Sequence, residues 1–280
     1  DLVSNIPGAY MSAAELHSDV TLIRNSLRTT GNIIIAENEV QPWLDQIRIF
    51  GFHMMHLDIR QDSSVYAEVM NDIWKATGKH DHPQDLEEVQ RQELLLSTLG
   101  SEIRLGELTL EEGTSRTLEL FTVMRRTARA YGMAALGGHV VSMTRTPSDL
   151  LTVLWLWNWS ESIDGGDAQD GHSQLPLVPL FETIQDLKNA DATLSSLLSD
   201  PVYREYLKQQ GNNQTIMIGY SDSTKDGGYL AGQWGLYDSQ SRMAKVADEF
   251  GVNLTFFHGR GGSLGRGGGP AAKSVLSLPK

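Results

Sequence analysis

Two arginines lie in a glycine-rich stretch that follows a short apolar run. The sequence TFFHGRGGSLGRGGGP (255–270) places Arg260 and Arg266 among seven glycines, and His258 ends the apolar run. Glycine lets the backbone approach a ligand closely and exposes its amide groups to anions. Arginine adds a planar fork of donors that matches phosphate or carboxylate oxygens. The pattern predicts an oxyanion site, with a flexible glycine-rich linker as the alternative.

A second group of polar residues occurs in GYSDSTKDGG (219–228). Asp222 follows an apolar run, Lys225 comes three residues later, and two glycines precede the next helical pattern. The start of a helix carries partial positive charge, which favours anions. A carboxylate and an ammonium group there suit a metal ion beside an anionic substrate. Alternatively, Asp222 simply caps the helix and Lys225 is solvated.

Glu182 ends the apolar run of PLFET, where a carboxylate is costly unless it is paired or coordinated. Together with Asp222 it would supply two oxygen ligands from neighbouring strands, which suits Mg²⁺. An ion pair with a nearby Lys or Arg is the alternative. In LDIR, Asp58 either orients Arg60 or forms a plain structural salt bridge.

The composition restricts the class of protein. Among 280 residues, 35 are acidic and 23 are Lys or Arg, which gives a formal net charge of −12. This balance argues against nucleic acid as a partner, because phosphate backbones require a basic surface. The absence of cysteine excludes disulfides, thiol nucleophiles and Cys-ligated zinc. No apolar run approaches the roughly 20 residues of a membrane span, so no membrane association is expected. Both ends of the sequence resemble cuts within a longer protein.

Short apolar runs alternate with helical patterns along most of the chain. A capping box, SAAE, predicts a helix from Ser12, and helical spacing predicts others at 40–50, throughout most of 65–131, from 146, and at 228–250. The predicted strands are at 52–59, 139–144, 175–183, 214–223 and 253–259. This alternation is typical of an α/β fold with parallel strands covered by helices.

The positions of the polar residues favour one α/β architecture over another. Arg60, Glu182, Asp222 and His258 each follow or end a different predicted strand. A (β/α)8 TIM-type barrel collects its site at such strand ends, whereas a doubly wound sheet concentrates it at one switch point. We therefore predict a single domain over 1–280 that forms part of a barrel. About five parallel strands and their helices would occupy 51–280, after leading helices in 1–50.

Five motifs, taken in order, resemble those of bacterial-type phosphoenolpyruvate carboxylase. They are LDIRQDS, VSMTRTPSDLL, PLFETIQDL, MIGYSDSTKDGG and FHGRGGSLGRGGGP. The resemblance implies a (β/α)8 barrel enzyme of the cytoplasm that uses Mg²⁺ or Mn²⁺. It would convert phosphoenolpyruvate and bicarbonate to oxaloacetate and phosphate, through carboxyphosphate and the enolate of pyruvate. Regulated members carry a dicarboxylate feedback site, and the full-length protein is expected to be a homotetramer.

The resemblance also implies a role for each matching residue. It makes Glu182 and Asp222 the metal ligands. Arg60 and Arg260, with Gly261 and Gly262, would bind the substrate. The catalytic group would be Lys225, His258, Arg260 and Arg266, and Arg266 also matches a residue of the dicarboxylate site.

Two family motifs, TAHPTE and TEQGE, are missing from the sequence, which puts a catalytic histidine and the completeness of the site in doubt. We therefore expect the 280-residue chain alone to be inactive. In KDGG and GGGP, glycine replaces an alanine found in many members, a small change that leaves the resemblance intact. Two alternatives stay open: another metal-dependent enzyme of the phosphoenolpyruvate/pyruvate barrel type, and a non-catalytic anion-binding regulatory module.

Overall fold

The computed structural model describes residues 8–10, 12–101, 104–105, 108–163 and 174–260. The described α-helices are α1 (Ala13–Thr29), α2 (Ile33–Ile35), α3 (Gln41–Phe50), α4 (Ser63–Ala76), α5 (Glu88–Thr98), α6 (Glu112–Tyr131), α7 (Pro147–Ile163), α8 (Ile184–Ser199), α9 (Pro201–Gln209) and α10 (Tyr220–Phe250). A π-helix covers Ala36–Val40, and 3-10 turns cover Pro83–Asp85 and Met133–Ala135. The strands are β1 (Leu57–Asp62), β2 (Leu136–Ser142), β3 (Leu177–Phe181), β4 (Asn213–Gly219) and β5 (Asn253–Gly259). No helix in the described ranges is both long and apolar enough to cross a membrane.

The chain divides into two compact units, one formed by 1–57 with 127–136 and the other by 58–126 with 137–280. In the first unit, the predicted helix begins at Ala13 and is capped by Ser12, whose side chain accepts a hydrogen bond from the Glu15 amide. Val20 packs with Leu44 and Ile47 of α3 in a small core. This unit is therefore a helical cluster.

The second unit contains a five-stranded sheet in the order β1-β2-β3-β4-β5. The pairs β2–β3, β3–β4 and β4–β5 are parallel. Every strand joins the sheet beside the strand that precedes it in sequence, and helices make each connection. The α/β prediction with parallel strands is thus confirmed. In the described ranges β1 and β5 form the two edges, so the sheet is open.

The first strand begins later than its apolar pattern predicts. The expected strand covered 52–59, but residues 51–55 form turns and bends, and the strand is Leu57–Asp62. Met54 has a φ of 58°, which is incompatible with a strand, and its side chain is exposed. Arg60 consequently lies inside β1 and not at its end. The strand gives way to α4 at Asp62, which accepts a hydrogen bond from the Ser64 amide and caps the helix.

The fourth strand is shorter than predicted. The sequence pattern extended it over 214–223, but β4 ends at Gly219 and α10 begins at Tyr220. Within the first turn of α10, the Ser223 hydroxyl donates to the Gly219 carbonyl at 2.7 Å, a local bond that Ser forms in place of strand pairing. Gly228 adopts a φ of 78° and breaks α10, so a short helix precedes the long helix that was predicted from 228. This short helix contains Asp222 and Lys225.

Candidate active site

The predicted site residues that the structure describes lie in the second unit, most of them where β3, β4 and β5 end. Glu182 follows the last residue of β3, and the register aligns Phe181 with Ile218 of β4. His258 belongs to β5 and is aligned with Ile218 on its other side. Since these strands are parallel neighbours, the residues that follow them lie together at the carboxyl ends of the strands. Arg60 reaches this group from within β1.

Glu182 is a buried carboxylate with two donors. Its residue is 5% exposed. Arg60 donates from Nη2 to Oε1 at 2.8 Å, and the Met143 backbone amide donates to Oε2 at 3.0 Å. Burial raises the pKa of Glu182, these two donors oppose the rise, and the charge of Asp222 adds to it. The ionised carboxylate is therefore incompletely compensated, and Asp222 is near enough to repel it.

Gly219 makes room for Glu182 against the neighbouring strand. A Cβ atom at Gly219 would lie 3.1 Å from Glu182 Cγ and 3.3 Å from its Cα, closer than ordinary packing distances. The two strand ends touch at this point, and glycine permits that approach. The sequence contains this glycine in MIGYSDS but does not indicate which strand it faces.

Asp222 was predicted at the end of a strand, but it lies in the first turn of α10. Lys225 donates from Nζ to Asp222 Oδ1 at 2.9 Å, and both side chains are substantially exposed. Each of the two carboxylates thus has one cationic partner, Arg60 for Glu182 and Lys225 for Asp222. In the described residues, no group of three or more His, Asp or Glu side chains could hold a metal ion.

Tyr220 connects to His258, a contact that the sequence analysis missed. The Tyr220 hydroxyl lies 2.7 Å from His258 Nδ1, and the Arg260 guanidinium lies 5.5 Å from the centre of the tyrosine ring. Burial, and then the charge of Arg260, lowers the pKa of His258. The neutral imidazole is favoured as a result. A tyrosine directly after the strand-ending Gly219 was a signal that could have suggested this contact.

Asp58 contributes to the sheet and not to the orientation of Arg60. Its Oδ1 accepts a hydrogen bond from the Gly138 amide of β2 at 3.0 Å, while Arg60 bonds to Glu182. Among the described residues, Asp58 neither bonds Arg60 nor forms a salt bridge, so neither predicted role is observed there. The predicted site residues Gly261, Gly262 and Arg266 lie outside the described residues.

Comparison with known proteins supplies the family. A model of the family described as phosphoenolpyruvate carboxylase matches residues 4–280. The chain is 40% identical over 277 residues to the phosphoenolpyruvate carboxylase of Xanthomonas campestris pv. campestris (strain 8004), covering 98% of this chain and 29% of that protein. It is 38% identical over 272 residues to that of Mycobacterium avium (strain 104), covering 96% of this chain and 29% of the relative. The chain belongs to the phosphoenolpyruvate carboxylase family.

The phosphoenolpyruvate carboxylase match includes all five motifs from which the resemblance was drawn, since each lies within residues 4–280. A relative from Thermosynechococcus vestitus (strain NIES-2133 / IAM M-273 / BP-1) is 38% identical over 278 residues, covering 96% of this chain and 27% of that protein. The chain thus spans less than a third of the length of the phosphoenolpyruvate carboxylases that it matches.

Proposed function

We propose that the protein to which this chain belongs forms oxaloacetate and phosphate from phosphoenolpyruvate and bicarbonate in the cytoplasm. The observation that carries the proposal is Glu182: a buried carboxylate beside a second carboxylate and an arginine, at the strand ends of a parallel sheet. Such an arrangement suits an enzyme that handles anions through a divalent cation. Family membership supports phosphoenolpyruvate as the substrate.

The sheet is proposed to be part of a (β/α)8 barrel. Its strand order follows the sequence without reversal. A doubly wound sheet, in contrast, reverses its order at the switch point where its ligand binds. A barrel adds each strand beside the previous one and gathers its site at the carboxyl ends of several strands. The remaining strands would come from the rest of the longer protein, as would the remaining active-site residues. The 280-residue chain alone is accordingly proposed to be inactive.

Glu182 and Asp222 are proposed to hold Mg²⁺ or Mn²⁺. The donor set fits, because Mg²⁺ takes one or two carboxylates and completes its coordination with water and substrate oxygens. The mutual repulsion of the two carboxylates also favours a cation between them. When bound, the metal would supply Lewis-acid stabilisation of negative charge on substrate oxygens.

The cationic side chains are proposed to bind the substrate. The Arg60 side chain is half-exposed even though it bonds Glu182, so its guanidinium is accessible to an anion. Arg260 and Lys225 would add charge near the phosphate and the bicarbonate. Gly261, Gly262 and Arg266 would extend this site through the glycine-rich stretch. The same cations would accept a dicarboxylate inhibitor in a regulated, tetrameric enzyme.

The reaction proposed for these residues has two steps. A bicarbonate oxygen attacks the phosphorus, the bond to the enol oxygen breaks, and carboxyphosphate and the enolate of pyruvate form. The enolate carbon then attacks the carboxyl carbon, which gives oxaloacetate and releases phosphate. The neutral His258, held by Tyr220, would contact the substrate during carboxylation, while Arg260 stabilises the negative charge.

The test measures oxaloacetate and phosphate released by the full-length protein with Mn²⁺, with and without bicarbonate. We expect equal amounts of both products, formed only with bicarbonate, and a loss of at least about a hundredfold in Glu182→Gln. Arg116→Gln is the control, because Arg116 forms an exposed ion pair with Glu112 on α6.

Three results would contradict the proposal. Turnover of phosphoenolpyruvate without bicarbonate would indicate a different enzyme of the same barrel type. If the wild-type protein shows no turnover and Glu182→Gln still binds a dicarboxylate, the protein is a regulatory module. Equal losses in Glu182→Gln and Arg116→Gln would remove the special role of the buried carboxylate.

A further inference from the structure

Met143 has a backbone conformation that its side chain disfavours. Its φ is 54°, in the left-handed region, although it is not a glycine. It follows the last residue of β2, at the carboxyl ends of the strands, where Glu182 also lies. A strained residue of this kind persists only when surrounding contacts enforce it, and such residues cluster at functional sites.

Two contacts of the peptide unit that follows Met143 enforce this conformation. Ser63, the buried first residue of α4, donates from Oγ to the Met143 carbonyl at 2.9 Å. The next residue, Thr144, donates its amide to the Leu180 carbonyl of β3 at 3.1 Å. The peptide unit between Met143 and Thr144 is thus held between the start of α4 and β3.

The enforced conformation directs the Met143 amide at Glu182. That amide donates to Oε2, while Arg60 donates to Oε1. The two oxygens of the carboxylate are therefore fixed by groups of different kinds. Arg60 is a long and half-exposed side chain that can move away, whereas the amide belongs to a clamped backbone.

We propose that Ser63 and Met143 are positioning residues for Glu182. The Ser63 hydroxyl holds the Met143 carbonyl and thereby the left-handed conformation of that residue. The Met143 amide, on the other side of the same Cα, holds the carboxylate in the orientation in which it binds a divalent cation. This inference rests on the proposed function, which makes Glu182 a metal ligand. Ser63 itself touches neither metal nor substrate and acts through the Met143 peptide.

The test compares Mn²⁺ binding by two variants of adjacent serines, using Mn²⁺ alone and the electron paramagnetic resonance signal of the free ion. Ser63→Ala should raise the dissociation constant for Mn²⁺ by about tenfold, as is usual when a group that supports a metal ligand is removed. Ser64→Ala should leave it unchanged, because the Ser64 hydroxyl is exposed and bonds to Asp62. Thermal unfolding of each variant, measured without metal, separates lost stability from lost affinity.

Should Ser63→Ala fail to fold, Ser63→Cys replaces it, since a thiol has nearly the same size and is a weaker donor. Its affinity should fall between those of the wild type and a variant without any donor. Wild-type Mn²⁺ affinity in a folded Ser63 variant would overturn the inference, even where unfolding occurs at a lower temperature. Glu182→Gln is measured in parallel. If that variant keeps wild-type affinity, the metal assignment in the proposed function fails, and the inference with it.

Discussion

Glu182 receives a charged donor and a backbone donor and still has a raised pKa, because burial outweighs both of them. A carboxylate in this state gains from any further positive charge within reach. Asp222 lies near enough to raise that pKa further, so one cation could satisfy both groups. The sequence identified these two carboxylates because each follows an apolar run, but it gave no indication of the Met143 amide.

His139 is a second buried titratable residue, but its partners belong to the core. It lies in β2, fully buried, with Nε2 2.6 Å from the Tyr66 hydroxyl and its ring packed against Phe121. Its Nδ1 is buried and has no hydrogen-bond partner among the residues that the structure describes. Burial lowers the pKa of His139 from 6.5 to about 4. The folded protein therefore keeps this imidazole neutral where an unfolded chain would protonate it.

This difference predicts that acid destabilises the fold through His139. Below pH 6.5 the unfolded chain binds a proton that the folded chain refuses, so the free energy of unfolding falls as pH drops from 6.5 towards 4. The contribution of this one residue reaches about 3 kcal/mol at most. Urea unfolding at pH 7, 5.5 and 4.5 measures it. His139→Gln should have a shallower dependence on pH than the wild type, whereas His82→Gln, an exposed control, should match the wild type. Parallel curves for the wild type and His139→Gln would contradict this account.

Among the secondary-structure elements, β5 could be predicted to the residue, while β1 and β4 could not. NLTFFHG is an apolar run bounded by turn residues, and the strand covers the same range, Asn253–Gly259. The run at 52–55 is equally apolar but forms exposed turns, because an apolar pattern does not encode the positive φ of Met54. At β4, the apolar run adjoins SDS, and the Ser223 hydroxyl donates to the Gly219 carbonyl within the first turn of α10, where the apolar pattern had predicted that the strand would continue.

The sequence predicts the residue types of the candidate site but not the pairs that these residues form. Arg60 and Glu182 are 122 residues apart in sequence, and their bond depends on the placement of β1 and β3 in the sheet. No local pattern encodes such a contact. The link from Ser63 through Met143 to Glu182 is hidden for the same reason, and it also relies on backbone atoms, which every residue possesses.

The close contact of β3 with β4 gives a prediction about Gly219. In Gly219→Ala, the new methyl group would press on Glu182 and force the strand ends apart, which should destabilise the protein by about 1–3 kcal/mol. Mn²⁺ affinity should fall as well, because the carboxylate is displaced. The matched control is Gly113→Ala in the first turn of α6, where a Cβ meets nothing within 4 Å. Its stability should be unchanged or slightly raised, since alanine favours helix. Equal stabilities for the two variants in urea unfolding would contradict the packing argument.

As a whole, the chain contains a consecutive set of strand–helix units, with the candidate site at the carboxyl ends of their strands. It covers 29% of the Xanthomonas and Mycobacterium carboxylases that it matches. An open sheet leaves unpaired backbone groups along its edge strands, and further strands of a barrel would satisfy them. The activity proposed for the longer protein would also draw on groups outside this chain, whereas Glu182 and Asp222 are both supplied by it.

The central claim is that these two carboxylates hold the divalent cation beside the substrate, and one measurement tests it most directly. It is a crystal structure of the full-length protein with Mn²⁺ and an unreactive phosphoenolpyruvate analogue, with the metal located by its anomalous scattering. We expect one anomalous peak for manganese, in contact with both Glu182 and Asp222, and the phosphate of the analogue in contact with Arg60 or Arg260. A manganese peak on other ligands, or an analogue bound away from the carboxyl ends of the strands, would contradict the account.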